Sequence, residues 1–267
     1  MADQPTRFRH FLNWLTWQRL SVSRIPLRQP KRELVVLLAY ACFYVALGYP
    51  TGLLIKSHPF PLMGASYFTQ DAWYVFLFKI GGLLIVPLII FRRWGYRARD
   101  LLLDWRWNAR AVTITVLAFL VGVVVNAQRF VEVGGASAQF ARGDFWLRVA
   151  IGVIVVLFTA GLPEEIFFRG LLQTRLEALA GRFPAIMVSN LLFAAWHLPS
   201  RFLLATGAEG KAGDFASVLL GTGLPVFIVG VLFGWFWDRY RGLVPLVAAH
   251  WGVDVLPSVS SMLRLPF

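Results

Sequence analysis

Seven long apolar runs, separated by short polar and basic connections, dominate the sequence. A bilayer span needs about 20 mostly apolar residues, and somewhat fewer where flanking side chains reach the interface. An isolated strand would leave its backbone groups unpaired in lipid, so each run is predicted to form a helix. The runs cover residues 34–49, 72–91, 109–126, 145–161, 184–198, 218–237 and 243–262.

A further segment, residues 163–180, is more polar than these runs but keeps a helical pattern. We count it as an eighth helix, buried among the others. The pattern therefore predicts an all-α fold, a polytopic membrane helix bundle of about eight helices. Its predicted parts are a basic amphipathic segment at the membrane surface (1–33), N-terminal transmembrane helices (34–144) and a core that holds the unusual polar residues (145–262).

The composition also favours a multi-pass membrane protein. Hydrophobic residues make up 58% of the chain and charged residues only 15%, whereas about 25% of the residues of a soluble protein are charged. The net charge of +12 comes from basic residues that flank the apolar runs. This placement predicts anionic lipids as partners and no nucleic-acid binding. The single cysteine, Cys42, excludes a disulfide framework within the chain.

Two connections, residues 1–33 and 92–110, are the most basic parts of the chain. An excess of Lys and Arg marks the cytoplasmic side, and two predicted spans separate these connections, so both are predicted to be cytoplasmic. Eight helices would bring the C-terminus back to the cytoplasm. Within the leader, Phe8, Phe11, Leu12 and Leu15 follow helical spacing among arginines. This pattern predicts an interfacial amphipathic helix; the alternative is a disordered basic tail.

Several polar residues interrupt the apolar pattern of the second half. A charge buried in a membrane costs about 3 kcal/mol on insertion scales, so such residues are expected to pair or to line a wet cavity. They are Glu164, Glu165, Arg169, Asn190, His197, His250 and Asp254.

The adjacent acids follow a proline, and proline is favoured at the first helical position. Glu165 and Arg169 are four residues apart, so they share a helix face and can pair. Glu164 is rotated about 100° from Glu165 and faces elsewhere, which leaves it able to accept a proton. The alternative is that both acids are ordinary residues of a helix start, stabilised by the helix dipole.

The two histidines each have a structural alternative as well. His197 stands near the end of its apolar run, just before Pro199, where a histidine can cap a helix or contact the interface. His250 and Asp254 are four residues apart and can satisfy each other. In the predicted topology, however, Glu164 and both histidines can meet in the cytoplasmic half of one bundle, where facing helices commonly build a site.

Two chemistries fit such a site. In the first, Glu164 and His197 activate a water that attacks a peptide carbonyl, and His250 and Asp254 stabilise the oxyanion. Asp254 can donate to an oxyanion only if protonated; otherwise it orients His250. In the second, His197, His250 and Glu164 bind Zn²⁺. No HExxH spacing is present, so the sequence does not specify a metal.

Three motifs in order resemble those of the CPBP family, which contains CAAX prenyl proteases and bacteriocin-processing or self-immunity membrane proteins. The motifs are EExxxR in "PEEIFFRGLL", FxxxH in "SNLLFAAWHLP" and HxxxN/D in "VLFGWFWDRYRGLVPLVAAHWGVDVL". The resemblance covers roughly residues 145–256, and the preceding part matches only as generic spans. It implies an eight-helix intramembrane endopeptidase whose site opens toward the cytosol, in a bacterial inner (plasma) membrane.

The resemblance also assigns roles to individual residues. It implies that Glu164 and His197 activate water and that Glu165 and Arg169 support the site. His250 and the residue at position 254 would form the oxyanion site.

One residue of the third motif departs from the prenyl-protease pattern. Those proteases carry asparagine where this chain has Asp254, which leaves the oxyanion role of that residue open. Although members are often called metalloproteases, we favour the glutamate–water mechanism with no required metal.

The function expected from these residues is hydrolysis of a peptide bond in a membrane-associated peptide or protein tail. The alternative is a non-catalytic scaffold, assembly or immunity protein that keeps the fold and binds a membrane-protein partner. The presence of Glu164, His197 and His250 together favours the enzyme, because a scaffold need not retain all three.

Overall fold

The structure is a computed structural model that describes residues 27–57, 75–101, 109–127, 143–205 and 207–264. Within these ranges the chain forms seven long helices, two short 3₁₀ turns (Ala98–Leu101 and Gly207–Glu209) and no strand. The long helices are α1 (Pro30–Ser57), α2 (Val75–Ile85 and Val86–Arg93, consecutive), α3 (Ala109–Val125), α4 (Phe145–Ala180), α5 (Arg182–Leu204), α6 (Phe215–Tyr240) and α7 (Leu243–Arg264). The predicted amphipathic helix of the leader lies outside the described residues.

Four of the described helices are long and apolar enough to cross a bilayer, namely those that contain Pro30–Leu54, Phe145–Ala180, Phe215–Tyr240 and Leu243–Ser260. The shorter α3 is also apolar and exposes a stripe of side chains at helical spacing: Val112, Val116, Leu120 and Val124. Such a stripe suits contact with lipid, because bilayer hydrocarbon solvates apolar side chains. The all-α, membrane-type fold predicted from the sequence is confirmed.

The predicted break between residues 145–161 and 163–180 is wrong. α4 is one continuous helix of 36 residues, and Pro163 lies near its middle. Proline lacks the backbone N–H that an α-helix interior uses, but the wide π-helical turns Leu157–Gly161 that precede it change the hydrogen-bond pattern there. Glu164 and Glu165 are therefore mid-helix residues, so the predicted support from a helix N-terminus does not apply to them.

The two ends of α4 contact opposite ends of the described chain. Near its end, Arg175 Nε lies 3.1 Å from Glu33 Oε2 at the start of α1. Near its beginning, Arg148 Nη1 donates to the carbonyl of Met262 near the end of α7 at 3.1 Å. The start of α1 and the end of α7 therefore lie at opposite ends of α4, whereas the predicted eight-helix topology places both termini on one side of the membrane.

Ion pairs join further helix ends near the C-terminal end of α4, and one of the partners, Arg182, is exposed. Arg241 pairs with Glu177 and Arg182 pairs with Asp238, the latter at 2.7 Å. This end of the bundle, together with the exposed basic residues at the start of α1, at the end of α2 and in the segment after α2, is called the basic end. The exposed residues are Lys31, Arg32, Arg92, Arg93, Arg97 and Arg99.

α5 and α6 approach each other closely beside α4. A Cβ added at Gly230 would lie 2.6 Å from Asn190 Oδ1, and one at Gly234 would lie 2.7 Å from Asn190 Nδ2. Glycine is thus required for the two helices to pack at this distance, as the four-residue spacing of the glycines predicts. The contact brings Asn190 to the interior face of α4, where the site is built.

Candidate active site

Three helices bring the acid and the two imidazoles of the separate motifs together. Glu164 comes from the middle of α4, His197 from α5 and His250 from α7. Glu164 Oε2 lies 3.9 Å from His197 Nε2 and 3.7 Å from His250 Nε2. Asp254, one turn after His250, completes the group.

The two carboxylate oxygens of Glu164 have different surroundings. Oε1 accepts a hydrogen bond from Lys79 Nζ at 2.8 Å. Oε2 is buried and accepts no hydrogen bond from any described residue. Its distances to the two imidazole nitrogens exceed hydrogen-bond length, but a water molecule can bridge gaps of this size. Glu164 thus presents one occupied oxygen and one oxygen suited to hold a water.

His197 is oriented by its own helix. Its Nδ1 lies 2.8 Å from the carbonyl oxygen of Phe193. A carbonyl can only accept, so Nδ1 bears a hydrogen; when the ring is neutral, Nε2 is the acceptor, and it is the nitrogen nearer to Glu164 Oε2. The ring also packs edge-on against Phe193 and Trp196, with 4.8 Å between centroids in each pair. α5 continues through Pro199 to Leu204, so His197 does not cap a helix end.

His250 contacts a carboxylate at each ring nitrogen. Nδ1 lies 2.6 Å from Glu165 Oε1, and Nε2 lies 3.2 Å from Asp254 Oδ2. Only a ring with a hydrogen on both nitrogens can donate to both carboxylates. The sequence indicates the pairing with Asp254 by its four-residue spacing, but it does not reveal the contact with Glu165, which joins α4 to α7.

Arg169 forms the polar support below Glu165. Its Nη1 lies 3.1 Å from Glu165 Oε1, which confirms the pairing predicted from spacing. Its Nη2 donates to Asn190 Oδ1 at 2.9 Å and to the Gly230 carbonyl at 3.3 Å. The guanidinium carbon lies 4.3 Å from the ring centroid of Phe193. Because Arg169 is fully buried, these contacts restrain Glu165 in the orientation in which it contacts His250.

Sequence reasoning missed Lys79. It stands in the apolar run "VFLFKIGG" of α2, and a lone lysine in such a run costs free energy unless it has a partner. The same reasoning that singled out the acids and histidines would therefore have found it. Its partner, Glu164, is 85 residues away in sequence.

The cluster of Glu164, His197, His250 and Asp254 is buried on one side and accessible to solvent on the other. Arg169 and Gln173, which continue along α4 toward the basic end, are fully buried. The side chain of Glu164 is 1% exposed, that of His197 is 19% exposed, and that of Asp254 is 34% exposed. Water or a peptide would therefore reach Glu164 past His197 and Asp254.

The residues of this site do not fit a zinc ion as they are arranged. Both nitrogens of His250 face carboxylates, and the ammonium of Lys79 occupies one oxygen of Glu164. Over the described ranges, no group of three or more His, Cys, Asp or Glu side chains is arranged to hold a metal. A zinc site usually needs at least three such ligands around one point.

The comparisons with known proteins concern the segment that contains all three motifs. Residues 145–256 match the family model described as Type II CAAX prenyl endopeptidase Rce1-like. No match was found among curated proteins or among solved structures. The match supports an intramembrane protease of the CAAX type that acts on a membrane-associated peptide or protein.

Proposed function

We propose that this chain, a member of the CPBP family through its residues 145–256, hydrolyses a peptide bond by means of a water held between Glu164 and His197. The observation that supports this most directly is the buried Oε2 of Glu164, which lacks a donor among the described residues and lies 3.9 Å from His197 Nε2. A carboxylate and a neutral imidazole nitrogen are both acceptors. A water that donates one hydrogen to each would direct its lone pair toward a substrate carbonyl.

The hydrolysis follows from this arrangement. The water transfers a proton to Glu164 Oε2 as its oxygen bonds to the carbonyl carbon, and the carbonyl electron pair moves to the oxygen. The resulting oxyanion accepts a hydrogen bond from His250 Nε2–H. When the C–N bond breaks, Glu164 returns the proton to the leaving nitrogen, so the products are a carboxylic acid and an amine.

Asp254 has a role beside this nitrogen. Its Oδ2 lies 3.2 Å from His250 Nε2, so in the absence of substrate it accepts the hydrogen that the oxyanion would later receive. Its partly exposed side chain can move aside when a carbonyl enters. We therefore propose that Asp254 orients His250 and does not itself donate a hydrogen bond to the oxyanion.

We propose that the chain is an integral membrane protein whose basic end lies on the cytoplasmic side. In that orientation the opening past His197 and Asp254 faces away from the basic end, which departs from the cytosolic opening that the resemblance implies. The exposed lysines and arginines of that end support this orientation, since positive charge is retained in the cytoplasm and attracts anionic lipid head groups. The resemblance adds the bacterial inner membrane as the expected compartment. The substrate would be a peptide or protein tail that is itself held at the membrane.

A comparison of peptide termini tests the proposal. The full chain is expressed in a bacterial host as wild type, as Glu164→Gln and as Glu209→Gln. Glu209 is a partly exposed glutamate paired with Arg201, outside the site, so its variant is a matched control. Mass spectrometry of the membrane fraction should find new termini with the wild type and the control but not with Glu164→Gln.

Purified protein then tests the chemistry. A synthetic peptide that spans the identified cleavage site is incubated with each purified chain in H₂¹⁸O. One ¹⁸O atom in the new C-terminal carboxylate is expected from attack by water. Identical termini in all three membrane samples would overturn the proposed function.

A further inference from the structure

A lysine outside the three motifs contacts the proposed general base. Lys79 lies in α2, before the segment that matches the family model, and its Nζ lies 2.8 Å from Glu164 Oε1. The carboxylate is 1% exposed and the lysine side chain 19% exposed. Ion pairs with this little exposure are screened by solvent much less than surface pairs.

The surroundings of Lys79 hold its ammonium in place. Its Nζ lies 5.5 Å from the ring centroid of Trp196, within the range of a cation–π interaction. Trp196 is the residue before His197 on α5, so one aromatic ring contacts both the lysine and the histidine of the site. α2 and α5 thereby fix the ammonium relative to the imidazole.

The hydrogen bond distinguishes the two oxygens of Glu164. With Oε1 bound to Lys79, the carboxylate cannot rotate freely, and Oε2 remains directed toward the imidazoles of His197 and His250. A buried carboxylate also needs a compensating charge, because burial without one is costly. Lys79, which lies outside the three motifs, both restricts the rotation of the carboxylate and provides the compensating positive charge.

We propose that Lys79 is a positioning residue for hydrolysis: its ammonium holds Glu164 Oε1 so that Oε2 alone meets the water. This inference rests on the proposed function and adds the N-terminal helices to the active site. Lys79 itself forms no bond to the substrate. The residue acts through the orientation of Glu164, and a misplacement of about 1 Å in such a group can cost about 10²-fold in rate.

Three lysine variants test the proposal with the purified full chain and the synthetic peptide described above. Lys79→Met removes the ammonium but keeps a long side chain, and Lys79→Arg keeps a cation. Lys56→Met is the matched control, since Lys56 is exposed near the end of α1. The unfolding temperature of each variant in detergent verifies that it is folded.

We expect Lys79→Met to lower kcat by about 10²-fold with KM changed less than about threefold, because the substrate does not contact the lysine. Lys79→Arg should regain about tenfold of that loss, and Lys56→Met should match the wild type. A wild-type kcat for Lys79→Met would overturn the proposal. Equal losses in the methionine and arginine variants, both folded, would also overturn it.

A chemical measurement separates this proposal from the proposed function. Purified chains are treated with formaldehyde and cyanoborohydride, and the methylation of each lysine is followed by mass spectrometry. Lys79 should react several-fold faster in Glu164→Gln than in the wild type, because the carboxylate no longer holds its ammonium, whereas Lys56 should not change. An unchanged rate at Lys79 would overturn the positioning role even if the wild type cleaves the peptide. An inactive wild type with the expected change at Lys79 would overturn the proposed function alone.

Discussion

Glu165 and His250 are in direct contact, with Glu165 Oε1 2.6 Å from His250 Nδ1. The same oxygen lies 3.1 Å from Arg169 Nη1. One buried carboxylate therefore balances the arginine of its own helix and orients the imidazole of another. The second acid of the motif thus links the arginine of α4 to the imidazole of α7.

Removal of this carboxylate should separate stability from activity. Glu165→Gln would leave the charge of Arg169 buried without its carboxylate, and loss of one partner of a buried pair costs about 3–5 kcal/mol. The double variant Glu165→Gln/Arg169→Met removes both charges and should be more stable than the single variant. Neither should recover cleavage, because His250 has lost its orienting carboxylate. Denaturant unfolding in detergent and the peptide assay measure the two effects; additive losses of stability would contradict the pairing.

Asp254 should tolerate an amide better than an apolar side chain. The Asn oxygen of Asp254→Asn can still accept from His250 Nε2, so the cleavage rate should stay within about tenfold of the wild type. Asp254→Leu offers no acceptor and should lose about 10²-fold, the cost of a misplaced catalytic group. Initial rates with the synthetic peptide test this. An asparagine variant as slow as the leucine variant would show that the negative charge itself is required.

Chelators should leave the activity unchanged. The nitrogens of His250 face carboxylates, so the proposed mechanism places no metal at the site. Cleavage after dialysis against EDTA and 1,10-phenanthroline should equal that of the untreated enzyme, and elemental analysis should find zinc well below one atom per chain. If the chelators abolish activity and added zinc restores it, the glutamate–water mechanism is contradicted and the metalloprotease alternative is supported.

The pH dependence of stability should report on Tyr96 at the basic end. Burial, and then the hydrogen bond from Tyr96 to Glu33, raise the pKa of this phenol above its usual value of 10.0. The folded state therefore retains the proton more strongly than the unfolded state, so this contribution is complete below pH 10 and decreases as the pH rises further. Tyr96→Phe should be about 1.5–3 kcal/mol less stable than the wild type near neutral pH. The difference should narrow above pH 10 in denaturant unfolding; a constant difference would contradict the shift.

Contacts within one helix were predictable from the sequence, whereas the motifs indicated only that certain helices meet and not which of their atoms pair. The Glu165–Arg169 pair follows from four-residue spacing, which determines which side chains share a helix face. Spacing contains no information on which helix face meets which, so the Glu165–His250 contact required the structure. Lys79 was overlooked for a different reason, since it stands outside the motifs, although its charge in an apolar run indicated a buried partner.

The continuity of α4 is not evident from the sequence pattern, because proline is typical of the first turn of a helix. In a membrane-type bundle a helix can pass through proline when wide turns and neighbouring helices satisfy the freed backbone groups. The predicted count of eight helices, and with it the predicted return of the C-terminus to the cytoplasm, depended on a break at Pro163. Arg241, which follows α6, pairs with Glu177 of α4 at the basic end.

The π-helical turns on either side of the two acids determine how every later side chain of α4 is rotated about the helix axis. They comprise Leu157–Gly161 and Ile166–Gln173, and such turns contain more residues per revolution than an α-helix. Deletion of one residue before Pro163 would move each later residue back by one place, a rotation of about 100°. Glu165 would then occupy the place of Glu164, and Ile166 would occupy the present place of Glu165 beside His250. Length changes in the first half of this helix should therefore be far more harmful than substitutions there.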